Sequence, residues 1–153
     1  MGANAMTVEG LVTIRSKYAP IETMDRLETA VKSKNLTIFL RMDHAEGARE
    51  AGLSLQPTEL LIFGNARGGT PLMQSVRTIG IDLPLKVLVW QDSAGITWVS
   101  YNDPHWLARR HRLADSVETS VTTMATLLNE VATAAAGVSE LRHAPLGPAR
   151  ILI

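Results

Sequence analysis

Hydrophobic positions along this chain follow two rhythms, one of period two and one near three and a half, and the switches between them mark the elements. Leu11 to Ser16 is rich in β-branched residues and predicts a strand. From Pro20 to about Lys34, Ile21, Met24, Leu27 and Val31 recur at helical spacing, and Asn35 suits the stop. Leu36 to Met42 alternates, which would set Ile38, Leu40 and Met42 on one face and Thr37, Phe39 and Arg41 on the other. Asp43 suits the cap of a short helix through Ala51, ended by Gly52. Leu60 to Phe63 is an unbroken apolar run, the signature of a strand covered on both faces.

Gly64, Gly68 and Gly69 then predict a tight turn, with Thr70 as cap and Pro71 as first residue of a helix that loses order near Gly80. Residues 85–90 and 96–101 are β-rich runs around Asp92-Ser-Ala-Gly95, a hairpin pattern. Asp103-Pro104 opens a short helix to about His111. Over 116–136, Val117, Val121, Met124, Leu128, Val131 and Ala135 form an apolar seam, read either as core or as a subunit contact. The expected order is β-α-β-(short α)-β-α-β-β-α-α. That order predicts an α+β fold, with a mainly antiparallel sheet and helices packed on one face.

The organisation expected is a loose leader over 1–8, a single domain over 9–137 and a tail over 138–153 that is either mobile or an added edge strand. The start lacks the basic and apolar regions of a secretory signal, and no apolar run nears the ~20 residues of a membrane span, so a cytoplasmic protein is expected. Fifteen basic and fifteen acidic residues cancel, which removes the bulk basic footprint of a nucleic-acid binder. The basic run Arg109 to Arg112 reads as a solvated helix end. With no cysteine, disulfides, thiolate metal sites and cysteine nucleophiles are excluded.

Two polar constellations stand out. Gly64 to Thr70 has the outer glycine spacing of a nucleotide-binding P-loop but lacks its lysine, so nucleotide hydrolysis is not expected. It reads either as a tight strand-to-helix connection or as a cradle of backbone N–H groups for an anion, with Asn65, Arg67, Gly69 and Thr70 as its residues. Asp43-His44 reads either as a cap beside a packed histidine or as an acid–base pair, and Asn102 with Asp103 would join it from across the sheet. His105, His111 and His143 share no metal-ligand spacing with His44, so no metal site is expected. Trp90, Trp98, Trp106 and Tyr101 place aromatic surface around the hairpin, as core or as pocket lining. No Gly-x-Ser-x-Gly elbow is present.

Met42-Asp-His-Ala45, Leu55 to Asn65 with its Phe-Gly-Asn, Gly69-Thr-Pro-Leu-Met-Gln74, Asp82 to Trp90 and Tyr101-Asn-Asp-Pro104 together resemble the domain-of-unknown-function family 302 over about residues 8–137. Ala66 stands where that family often has proline. The resemblance implies a two-layer α+β fold of the TATA-binding-protein-like class, frequently homodimeric, and no established activity. The reading taken forward is a non-enzymatic homodimer that binds a small molecule or anion, without nucleic-acid or membrane partners and with no cofactor assigned. Its site would comprise Asp43, His44, Asn65, Arg67, Gly69, Thr70 and Asn102, converging on one cleft. The alternatives are an enzyme using His44 with Asp43 or Asp103, and a structural interaction module.

Overall fold

The computed structural model describes residues 8–139. The leader to residue 7, the tail from residue 140 and His143 lie outside the described residues. Five strands, β1 (Leu11–Arg15), β2 (Thr37–Asp43), β3 (Thr58–Gly64), β4 (Leu85–Gln91) and β5 (Thr97–Asn102), form one sheet in the order β1-β5-β4-β3-β2. Every pairing is antiparallel. The helices are α1 (Pro20–Ser33), α2 (His44–Glu50), α3 (Ala66–Ser75), α4 (Pro104–His111) and α5 (Glu118–Ala136), with short 3-10 turns at Arg77–Ile81 and Asp115–Val117. This is the α+β architecture expected from the sequence.

Local chemistry sets the boundaries. Pro20 opens α1, and Asn35 follows its end with a left-handed φ of 56°. Asp43 accepts the Glu46 N–H at 2.9 Å and caps α2; Asp103 accepts the His105 N–H at 2.9 Å and caps α4. In the β4–β5 turn, Asp92 Oδ1 takes the N–H groups of Ala94 and Ile96, and Gly95 supplies φ of 78°.

Register divides the sheet into two unlike faces. Leu61, Val87 and Tyr101 lie in one cross-strand row, with Phe63–Leu85 and Val89–Val99 beside it, and all are buried. Met24, Leu27 and Val31 of α1 and Val121, Leu128 and Val131 of α5 cover this face. Each fully buried Leu, Val or Phe contributes about 1.5–3 kcal/mol relative to exposure, so this layer dominates stability. The opposite row is Leu60, Leu88 and Ser100, flanked by Thr58–Trp90–Trp98. No helix of the described chain covers it.

The structure changes two local expectations and decides between the two readings of a third element. Residues 66–69 are not a turn. They are the first turn of α3, and Asn65 is its cap, accepting the Gly68 N–H at 2.7 Å, while Thr70 and Pro71 sit inside the helix. A side-chain cap, Asn65, was available five residues earlier than Thr70, and the helix starts directly after it. In β2 a bulge between Ile38 and Leu40 breaks the simple alternation. Ile38 therefore faces the core row beside Phe63, whereas Leu40 and Met42 face the uncovered side. The apolar seam of α5 is core: Val121, Met124, Leu128, Val131 and Ala135 are buried within this chain.

Candidate functional site

The sheet's C-terminal β3 end delivers the chain directly into α3, and a cleft of about 560 Å³ opens there. One wall is the junction Gly64 to Thr70 with Met73; another is Leu83 to Leu85; Leu36 and Phe39 border it, and the first half of α5 closes it with Thr119, Ser120, Thr123, Met124 and Leu127. This volume falls in the range of small-molecule sites, ~300–1,000 Å³. Its body is aliphatic, with a thioether from Met73 and another from Met124.

The polar groups come from the start of α3 and from α5. Asn65 engages Gly68, so the N–H groups of Ala66 and Arg67, at the first two helical positions, have no carbonyl behind them in the helix. They carry the positive end of the α3 dipole. Arg67 is exposed and is the single charged side chain among the lining residues. Among the described residues neither His, Asp, Glu, Lys nor Tyr lines the cleft, so these residues supply no pair of groups suited to moving a proton there. Hydroxyls from Thr70, Thr119, Ser120 and Thr123 complete its polar edge.

Four of the seven sequence-selected residues thus meet: Asn65, Arg67, Gly69 and Thr70. The other three do not join them. Asp43 pairs with Glu59, and Asn65 lies six residues further along, about 20 Å at ~3.3 Å per residue, at the opposite sheet end. His44 is exposed at the start of α2 and lines neither this cleft nor the groove described next. Asn102 shares the Asn65 end of the sheet, but on β5, and it lines neither hollow. The expected convergence on one cleft is therefore corrected: antiparallel register sends the ends of consecutive strands to opposite rims. Asp103, the partner considered for His44, is occupied as the α4 cap at the far rim.

A second groove, about 540 Å³, runs under α2 and contains Asp43, Glu46, Arg49 and Glu59 with Ile21, Leu53 and Leu55. Its charges are spoken for. Arg49 pairs with Glu46 and lowers that carboxyl's pKa through the side-chain hydrogen bond. Arg41 holds Glu59 at 2.7 Å, Asp25 at 2.8 Å and Glu28 at 3.1 Å, and the bond to Glu59 leads the rise of the guanidinium pKa above its usual value. The basic run at the end of α4 is likewise not wholly solvated. Arg110 and His111 both hold Asp82, and Thr78 completes the histidine's contacts at 2.9 Å. Among the described residues no group of three or more His, Cys, Asp or Glu side chains is placed to hold a metal ion. Trp90, Trp98, Trp106 and Tyr101 line neither hollow: Tyr101 is core, Trp106 packs on the core, and Trp90 stacks with Trp98 on the uncovered sheet face.

The cleft residues absent from the sequence reading are Leu36, Phe39, Met73, Leu83 and those of α5. A signal existed for α5: Thr119, Ser120 and Thr123 form a hydroxyl stripe flanking the apolar seam at helical spacing. Nothing local linked that stripe to a glycine run fifty residues away.

Comparison with known proteins gives three findings. The family described as "Domain of unknown function DUF302" matches residues 12–131. The chain is 48% identical over 128 residues, 84% of its length, to a Brucella suis protein named "Fluoride-specific ion channel FluC 1" and to a Brucella melitensis protein named "Fluoride-specific ion channel FluC 2". It covers 50% and 47% of those proteins, so the chain spans about half the length of the curated relatives it matches. Among solved structures, an uncharacterised conserved DUF302 protein from Bacillus stearothermophilus superposes with a TM-score of 0.74 at 19% identity, covering 84% of this chain and 99% of that one. That likeness concerns the fold. No helix among the described residues is long and apolar enough to cross a membrane.

Proposed function

The chain belongs to the DUF302 family, and on that premise we propose that it is a non-enzymatic, self-associating domain that binds a small organic acid in the Gly64–Thr70 cleft. The observation that carries this reading is the lining itself: a largely apolar cleft of about 560 Å³ that includes a helix N-terminus and one arginine, with no acid–base side chain among the described residues of its wall. The apolar body suits a hydrocarbon or aromatic group. The N–H groups of Ala66 and Arg67 with the Arg67 guanidinium suit a carboxylate. A monatomic anion would fill a small part of this volume and leave the apolar wall unused. Binding without chemistry also fits the hydroxyls, none of which has a base beside it in the cleft.

A thermal-shift series tests the reading. Medium-chain and aromatic carboxylates, the matching alcohols, phosphate and fluoride are compared on the whole chain. A ligand at a hundred times its Kd stabilises by about 2.7 kcal/mol, a shift of several degrees at this size. The reading expects the carboxylates to raise Tm and the alcohols and inorganic ions to do little, with Arg67→Gln abolishing the difference. A shift with inorganic ions alone, or none with any carboxylate, rejects it.

A second reading rests on the curated relatives, whose names concern an ion channel twice this chain's matched length. On it, this domain is the extramembrane companion of an anion channel, and its ligand tunes that channel. Removing the matching half from a Brucella relative and measuring fluoride efflux from vesicles separates the cases: unchanged flux and unchanged response to carboxylates exclude a channel role.

A further inference from the structure

Of the two phenylalanines in the chain, Phe63 is fully buried in the core, whereas Phe39 is 56% exposed and borders the Gly64–Thr70 cleft. The β2 bulge accounts for its placement. Ile38 pairs with Phe63 and Leu40 with Ile62, so Phe39 is the extra residue that opposes no partner on β3. A bulge bends its strand and re-aims a side chain, here onto the border of the cleft. Among the described residues Phe39 stacks on no other ring, and no guanidinium lies over it. Its aromatic surface is left without a partner from the fold.

The rest of the wall has a matching character. A side chain on Gly64 would begin 4.0 Å from Phe39 Cε2 and 3.8 Å from Pro84 Cβ. One on Gly68 would begin 3.7 Å from Met124 Cε, and one on Gly69 would begin 3.7 Å from Met73 Cε and 3.6 Å from Leu83 Cδ1. Three cleft residues without side chains thus place bare main chain beside a ring edge and two thioether methyl groups. Absent side chains let a ligand come close to backbone, and a flat group comes closest. Thioethers make favourable contacts with aromatic rings, with the sulfur ~5 Å from the ring. A phenylalanine pairs with a second ring offset or edge to face. A saturated chain in the same place gains from burial alone. Arg67, at the same junction, is the single charge among the lining residues.

We propose that the ligand of this cleft is an aromatic carboxylate. Its ring lies against the main chain of Gly64, Gly68 and Gly69, with Phe39 and the Met73 and Met124 thioethers at its edges, and its carboxylate faces Arg67. The assignment rests on the carboxylate reading proposed above and narrows it, with Phe39 as the residue that sets the preference for a ring. A cleft of about 560 Å³ admits one or two fused rings with a short acid side chain.

Isothermal titration of the whole chain with phenylpropionate and cyclohexylpropionate tests it. The two acids share their length and carboxylate, and the saturated ring is no less apolar, so burial alone gives phenylpropionate no advantage. The wild type is expected to bind phenylpropionate about twofold to tenfold more tightly, the range of one aromatic pair. In NMR of isotope-labelled methionine methyl groups, Met73 and Met124 should move upfield with phenylpropionate and not with cyclohexylpropionate; Met73→Leu and Met124→Leu assign the two signals. Phe39→Leu, at an exposed position and with circular dichroism as a fold check, is expected to bring the two acids to equal affinity. Equal binding by the wild type, or a preference that persists in Phe39→Leu, overturns the aromatic assignment and leaves the carboxylate reading standing. Methyl signals of Met73 and Met124 that stay put with phenylpropionate bound overturn it as well. Binding of neither acid, nor of naphthoate or octanoate, removes the carboxylate reading and this assignment with it.

Discussion

Gly69 occupies the fourth position of α3 with ordinary helical angles, and nothing within the folded chain requires it to be glycine. A methyl group there would meet Leu83 Cδ1 at 3.6 Å and Met73 Cε at 3.7 Å, normal contact distances. Glycine in a helix costs about 0.5–1 kcal/mol relative to alanine, through the freedom it loses on folding. Gly69→Ala is therefore expected to stabilise the unliganded protein by about that amount. For a chain of this length the gain is roughly 1–4 °C in Tm. The same methyl would lie between Leu83 and Met73 in the wall of the cleft, so on the proposed function it should weaken carboxylate binding. Gly68→Ala is the internal comparison. Its added carbon would lie 3.3 Å from Asn65 Oδ1, the oxygen that caps the helix, so the propensity gain is offset by crowding of the cap. Urea denaturation with and without a carboxylate reads both effects. A less stable Gly69→Ala protein would refute the claim that the fold does not need this glycine. A more stable protein with an undiminished carboxylate shift would show that the missing side chain serves no ligand there.

Gly10→Ala should act in the opposite direction: φ is 75°, and the new carbon would fall 2.3–2.8 Å from the Trp106 ring, so a loss of several degrees in Tm and weaker docking of α4 are expected. Tyr101 has its phenol pKa raised to about 12, first by burial and then by the charge of Asp103. Because the folded value exceeds the unfolded value of about 10, this stability is complete below pH 10 and is lost as pH rises toward 12; Tyr101→Phe should flatten alkaline unfolding followed by circular dichroism. Arg41→Met leaves the partly buried Glu59 and Glu28 without their guanidinium and is expected to cost about 1–3 kcal/mol. A double-mutant cycle with Glu59→Gln checks it, and additive losses would deny the coupling.

Strand identity, antiparallel pairing and the one-sided helical layer were legible because each rests on a local signal. The hairpin is carried by Asp92 and Gly95, the α4 start by Asp103 and Pro104, and the α1 and α5 faces by apolar spacing. The start of α3 was misplaced because two good caps compete within six residues, and Asn65 wins where the strand ends. The β2 bulge was hidden: Ile38, Leu40 and Met42 alternate perfectly, and only pairing with β3 moves Ile38 to the other face. The cleft was legible in its first half alone. Residues 65–70 announce themselves, whereas Asp43 and His44 were linked to them through an adjacency that register forbids.

The apolar run of β3 connects these results. Leu61 and Phe63 meet α1 and the core, Leu60 and Ile62 meet only their cross-strand neighbours on the other face, and Gly64 hands the backbone to the helix whose N-terminus heads the cleft. One strand thus serves three contacts that differ in what they demand. The core row must keep its volume, so Leu61→Ala should cost about 2–5 kcal/mol in any state. The outward row must stay apolar only if another surface covers it, because exposed leucine and isoleucine gain nothing from water. The β3–α3 junction must stay small only if something approaches it. On the proposed function, stability, self-association and carboxylate binding are expected to separate by position along these seven residues. A charge at Leu60 that left the expected carboxylate shift unaltered would show the outward row and the junction to be independent.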